Sequence, residues 1–234
     1  MKKTILVLAN SIKKGGRCVA GIEILNADRF NPTFGDFIRP IDQTHDEGTL
    51  EFATTLLGSA LSKPLDVVEI DFDGHANDPV HPEDWVISKL PWRKEGSYQK
   101  PILKKLPQAI VDEWGPRNYV VAGEQESTLQ LIRLKEERKV TSGHFHNGYT
   151  GQSQFKNRLR LPGRGYDYNC SITDPFFVSL HSLNPRNISE DQTKETSLPR
   201  CTYILMSLTP PFTPSNTNEA RQYKIIASII EPDA

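Results

Sequence analysis

Apolar and polar positions alternate with a period of two along most of this chain, and the apolar runs are short. Residues 4–9 and 18–25 are apolar stretches parted by Asn10-Ser11-Ile12-Lys13-Lys14-Gly15-Gly16, which reads as strand, glycine-bearing loop, strand. Residues 34–41 and 65–72 repeat the pattern; Val67, Val68 and Ile70 favour a pleated surface, and Pro64 punctuates the entry. Residues 84–88 form a short strand or a turn that drops Trp85 into the core. Further strands are expected at 128–134, 154–161, 166–172, 202–208 and 223–230. Leu159 and Leu161 alternate with Arg158 and Arg160, which sets the two arginines together on one sheet face.

Helical periodicity is scarce. Residues 102–114 carry Leu103, Leu106, Ile110, Val111 and Trp114 near helical spacing, with Pro107 splitting the run and Gly115-Pro116 stopping it. A second short helix is expected within 50–61. The polar stretch 184–199 and the proline-crowded stretch 209–218 read as loops. The fold class is therefore mainly β with one or two short helices. A domain boundary is expected near 114–125, dividing the chain into 1–120 and 121–234.

A chain of 234 residues can bury a core without disulfides or a structural metal. Its opening, Met1-Lys2-Lys3-Thr4-Ile5-Leu6-Val7-Leu8-Ala9, has too short an apolar part for a secretory leader and reads as a first buried strand. No apolar run approaches the roughly 18 residues of a membrane span, so no membrane partner is expected. Cys18, Cys170 and Cys201 are odd in number and widely spaced, which points to a reducing, cytoplasmic setting. Each lies beside apolar residues and is read as a buried structural thiol.

A net charge of -1 excludes a uniformly basic coat, but it hides a segregation. Residues 42–84 hold eleven acids against Lys63 alone, a net of -10. Residues 133–164 hold eight bases against Glu136 and Glu137, a net of +6. The bases interleave with aromatics and glycines, the pattern of a groove for a phosphate-rich ligand. The acidic half offers a surface for a protein partner.

Several blocks, in order, carry a family resemblance. They begin with Ile5-Leu6-Val7-Leu8-Ala9-Asn10-Ser11, Lys14-Gly15-Gly16-Arg17-Cys18-Val19-Ala20-Gly21, Phe37-Ile38-Arg39-Pro40-Ile41 and Leu65-Asp66-Val67-Val68-Glu69-Ile70. They continue in Tyr166-Asp167-Tyr168-Asn169-Cys170-Ser171-Ile172-Thr173-Asp174-Pro175-Phe176, Met206-Ser207-Leu208-Thr209-Pro210-Pro211-Phe212 and Tyr223-Lys224-Ile225-Ile226-Ala227-Ser228-Ile229-Ile230. The chain thus resembles the bacterial dual OB-containing domain family. The resemblance implies two tandem OB-like β-barrels and a nucleic-acid-binding role, as an accessory of prokaryotic conflict systems.

Four groups of residues bear on chemistry. Lys14 and Arg17 flank Gly15-Gly16 between two strands and suit a phosphate, although no Walker loop is formed. Arg39 either joins that patch or bridges an acid such as Asp36 or Asp42. His144-Phe145-His146, with Tyr149 beyond, reads as a mobile loop with stacking aromatics, or as a strand whose alternate histidines face one ligand. Phe155, Tyr166 and Tyr168 add ring faces for base stacking. Asp71, Asp73, His75, Asp78 and His81 form the densest metal-ligand cluster, but Pro82 stands where a calcium loop needs its final glutamate. Asp174 before Pro175 opens a turn and caps backbone amides.

The expected function is noncatalytic binding of single-stranded RNA or DNA, with no cofactor and no resident metal. Lys14, Arg17, Arg39, Arg133, His144, His146, Tyr149, Arg158, Arg160 and Arg164 are the expected contacts. One alternative is a metal-dependent nuclease or hydrolase using the Asp71 to His81 cluster. Another is a protein-interaction module.

Overall fold

β1 (Lys2–Lys13) buries side chains on both of its faces: Ile5 and Val7 enter one core, Leu6 and Leu8 another. That double burial is why the sequence reads there as an unbroken apolar run rather than an alternation. The computed structural model describes residues 1–26, 28, 31–146, 151–163, 165 and 167–233. None of the described helices is long and apolar enough to cross a membrane.

After β1 come β2 (Gly16–Asn26), β3 (Thr33–Ile41), the small hairpin β4 (Leu56–Leu57) and β5 (Ala60–Leu61), β6 (Asp66–His75), β7 (Asp84–Ile87) and β8 (Arg93–Ser97). β1, β2, β3, β7 and β6 pair in that order, and β6 returns to β1, so five strands close a barrel. Every contact in the circuit is antiparallel except β3 with β7. Ile5, Val7, Val19, Ile38, Val68, Ile70 and Phe72 fill it. β8 adds to the outside edge of β6, where Arg93, Lys94 and Glu95 keep the exposed edge charged.

The second half holds β9 (Tyr119–Val121), β10 (Leu129–Arg133), β11 (Arg138–His146), β12 (Ser153–Leu161), β13 (Tyr168–Ile172), α1 (Pro175–Leu180), β14 (Thr193–Leu198), β15 (Tyr203–Leu208) and β16 (Arg221–Ile230). β10 and β11 are two halves of one bent strand, and so are β14 and β15. Arg133 opposes Tyr203 and, five residues further along each strand, Arg138 opposes Leu198, so the register before the bend is recovered after it. Leu134 N–H to the Thr202 carbonyl and Cys201 N–H to the Leu134 carbonyl, 2.8 Å each, carry the ladder across it. With β12, β13 and β16 these bent strands close a second circuit, again with one parallel contact, β13 with β16. Both OB-like barrels thus have the same strand plan, and α1 lies between the third and fourth strands of the second. Asp174 caps α1 by accepting from the N–H groups of Phe176 and Phe177, and its other oxygen accepts from Ile229 N–H of β16 at 2.8 Å.

A third apolar layer joins the barrels. Leu6, Leu8, Ala20, Ile22 and Ile24 on the outside of the first barrel meet Leu129, Leu131, Tyr203, Leu205, Ala227 and Ile230 on the outside of the second. Ile102, Leu103 and Leu106, in and after a 3₁₀ turn at Lys100–Lys105, close its rim. Gly21 sits where β2 crosses β1 most closely; a Cβ there would overlap the Leu6 carbonyl oxygen and lie 3.3 Å from Val7 Cα.

The expected helix at 102–114 is instead this one 3₁₀ turn followed by extended chain. Pro107 holds Leu106 in the extended region, which ends the turn early. Within 50–61 there is only a 3₁₀ turn at Ala53–Thr55 before the β4–β5 hairpin, because Gly58 takes φ +70° and reverses the chain. The stretch 184–199, expected as loop, ends in β14, a polar strand held by its pairing to β11. Cys201 also departs from expectation. It is half-buried, outside any strand, and takes φ +70° in the bend before β15; Cys170 is buried and Cys18 half-buried in their strands.

Candidate nucleic-acid interface

Strand alternation places the side chains of the second barrel on two surfaces. On β12, Phe155, Leu159 and Leu161 pack with the core while Lys156, Arg158 and Arg160 point outward. The β11 register then fixes which of its residues share that outer face: Thr141 opposes Arg158 and Gly143 opposes Lys156, with Lys139 and Phe145 at the same parity. Gly143 puts no side chain between Phe145 and Arg158, and the Arg158 guanidinium lies 3.9 Å from the centre of the Phe145 ring. Partial burial pulls Arg158 below the ordinary arginine value, yet an arginine there stays charged at neutral pH. Lys156 and Arg158 have no acidic partner among the described residues. Lys139 is paired with Glu195 at 2.8 Å and Arg160 with Asp167 at 2.9 Å.

The face continues over β13, through Ser171 and Asn169, onto β16 and β9. There Tyr119 and Tyr223 stand 5.9 Å apart, and the Arg221 guanidinium covers Tyr119 at 4.2 Å. Arg117 donates to the Tyr119 hydroxyl at 2.7 Å. One curved surface therefore ends in an arginine-stacked aromatic on either side. Such surfaces attract phosphate by charge and bases by their ring faces.

The corresponding strands of the first barrel offer no such surface. The outward residues of its β1 and β2 are those of the apolar layer, and the second barrel covers them.

The family model for the dual OB-containing domain matches residues 3–229, nearly the whole chain. The chain belongs to that family. Comparison with curated proteins and with solved structures gave no match.

Within this dual OB frame the sequence-expected cations do not share one face. Lys14 is ion-paired to Glu47 and, at 3.4 Å, to Asp46. Arg17 lies over the Phe52 ring at 5.3 Å, on the same end of the first barrel. Arg133 donates to Cys201 Sγ at 2.9 Å beside Tyr203, near the joint between the barrels. Arg39 is corrected outright: it is buried and held by Asp84 at 2.5 Å, since its strand carries it into the β3–β7 contact rather than to the surface. His144 and His146 lie on β11 rather than on a loop. They share the parity opposite to Phe145, and His144 meets Phe155 edge to face at 5.3 Å. Tyr149, Arg164 and the ring of Tyr166 lie outside the described residues. Tyr168 is buried, with its hydroxyl donating to the Val111 carbonyl.

Sequence reasoning read Phe145 as a stacking ring and counted Lys139 and Lys156 in the basic stretch, but named neither lysine as a contact and left out Tyr119, Tyr223, Arg117 and Arg221. Lys156 was reachable by extending the Arg158, Arg160 alternation two residues back; Lys139 needed the register of the adjacent β11 and β12, and the residues around β9 and β16 a register between strands about a hundred residues apart.

The residues of the acidic cluster are held apart. His75 is bonded to the Pro82 carbonyl at 2.7 Å and to Asn77, Asp78 accepts from Val80 N–H, and Asp71 lies 3.9 Å from Lys2. His81 is buried at the barrel joint. Thr128 donates its hydroxyl hydrogen to Glu83, so His81 Nδ1 donates to Thr128 Oγ1 at 3.1 Å. Burial, with Arg39 and Lys13 nearby, pushes the His81 pKa down to about 3 from 6.5. The unfolded chain therefore takes up this proton near pH 6.5 while the folded chain does not. The stability this group contributes is whole above 6.5 and is lost as pH falls toward 3, at up to about 1.4 kcal/mol per pH unit. Urea unfolding across that range is expected to show the slope, and His81→Gln, which keeps a donor to Thr128, is expected to remove it. An equal slope in the variant would place the titration elsewhere.

Proposed function

We propose that this chain binds single-stranded nucleic acid, without cleaving it, across the outer face of β11, β12, β13 and β16. The observation that carries this reading is the asymmetry between the barrels. The first buries its strand face in the joint, while the second leaves its own open, with Lys156, Arg158 and Phe145 at one end and Tyr119, Tyr223 and Arg221 at the other. OB barrels take oligonucleotides on this kind of face, through stacking and charge. Duplex hides base faces from flat aromatic platforms, so a single strand is favoured. The hydrolase reading has less support, because His75 and His81 are engaged in bonds that hold the fold.

Fluorescence anisotropy with labelled single strands of about 12 nucleotides, spanning one OB site, tests the reading in RNA and DNA arms against a duplex. Tighter binding to a single strand, weakening steeply between about 50 and 200 mM salt, is expected. Equal or stronger binding to the duplex, or no binding to any strand, would overturn it.

A further inference from the structure

The open face of the second barrel is unevenly furnished. Thr141, Arg158, Ser171 and Ile225 form one row straight across β11, β12, β13 and β16. Apart from Arg158, that row offers neither a ring nor a charge. Phe145 stands four residues beyond Thr141, and Arg221 four residues before Ile225. β11 and β16 run in the same direction, so Phe145 and Arg221 lie toward opposite ends of the face. They are separated by about 26 Å along the strands and about 14 Å across them.

At the Arg221 end the face has one more ring. Phe212 and Arg221 exchange two backbone hydrogen bonds of 2.9 Å, and an antiparallel pair bonded in this way sets both side chains on one side of the sheet. The Phe212 ring therefore extends the face beyond Tyr119 and Tyr223. It is 57% exposed and packs in none of the apolar cores among the described residues. Its backbone is nonetheless held. Pro210 and Pro211 fix their own φ just before it. Thr209 gives its N–H to the Tyr223 carbonyl at 2.9 Å and accepts from Tyr223 N–H on Oγ1 at 2.8 Å. An exposed ring on so constrained a backbone has little left to order when a ligand stacks on it. Charge is distributed differently. Lys156 and Arg158, without acidic partners among the described residues, lie from the central row toward Phe145, whereas Arg221 is paired with Glu219 at 2.9 Å.

We propose that a bound single strand crosses this face diagonally from Phe145 to Phe212, stacking a base at each end and leaving the bases between them unstacked. The inference rests on the single-strand reading above. It adds the class of ligand: an uninterrupted strand, tolerant of sequence in its middle, rather than a mononucleotide or dinucleotide.

The test begins with the shortest oligothymidylate that reaches full affinity for the whole chain by fluorescence anisotropy, because a strand of that length has no spare register. Abasic residues placed one at a time along it should weaken binding in two zones, one near each end, by roughly 5- to 150-fold, the loss of one base stack. Positions between the zones should have little effect. Phe212→Ala should weaken the intact strand by a similar factor and abolish the sensitivity of one zone alone, while Phe145→Ala abolishes that of the other. Phe212→Trp should keep both zones. Because Phe212 is exposed, its variants should keep the wild-type unfolding midpoint. Equal sensitivity at every position, or Phe212→Ala binding the intact strand as the wild type does, would overturn the diagonal path and leave the single-strand reading standing. A chain that binds no single strand would overturn both.

Discussion

Phe145→Ala is expected to weaken single-strand binding roughly 5- to 150-fold, the effect of losing about 1–3 kcal/mol of base stacking. Phe145 stands at the end of β11, half-buried, with the Arg158 guanidinium in contact with its ring. A base that stacks on this face of the ring would displace the guanidinium, which is then free to pair with the strand's phosphate. Lys156→Ala and Arg158→Ala act differently. Each removes a charge without an acidic partner among the described residues, so each should flatten the plot of log affinity against log salt by about 0.7. Arg158→Ala should do more than this, because it also frees the ring it covers. The measurement is anisotropy over a salt series with wild type and the three variants. Variants that bind as the wild type does, at every salt concentration, would remove this face from the ligand path.

The second large effect concerns stability. Arg39→Met alone is expected to cost about 3–5 kcal/mol, because it strands the buried Asp84 carboxylate without its partner. Burial pushes the Asp84 carboxyl up, and the Arg39 charge and hydrogen bond counter that. The loss would be a large share of the 5–15 kcal/mol typical of a whole domain. Replacing both residues by apolar ones of similar volume should recover much of it, since the desolvation of both charges is then avoided. Urea unfolding of the single and double variants measures this. Folded Arg39→Met protein should bind single strands as the wild type does. A variant of full stability that had lost binding would return Arg39 to the surface set.

Much of the fold was legible from local pattern. The apolar runs of β1, β2, β3 and β6 and the alternation in β12 are signals that survive without knowledge of partners, because one or both faces of each strand are buried. β14 and β8 were not legible. Their sequences, Thr-Lys-Glu-Thr-Ser-Leu and Arg-Lys-Glu-Gly-Ser, are strands only because β11 and β6 offer them a ladder. The same limit governs the site. Arg158 and Arg160 could be set on one face by counting twos, but Phe145 joins them only through the β11–β12 register, and Tyr119 meets Tyr223 only across about a hundred residues of chain. Charge misled where it was buried. Arg39 looks like any other basic residue in the sequence, and its preceding strand positions give no sign that Asp84, on the parallel neighbour, is waiting for it.

The direct test of the binding face is photocrosslinking of the wild-type chain to single strands carrying 5-bromouracil, followed by peptide mapping. Crosslinks are expected within β11, β12 and the Tyr119–Tyr223 pair, and should be lost on adding unlabelled single strand. Crosslinks confined to the first barrel, at its Lys14 and Arg17 end, would contradict the assignment.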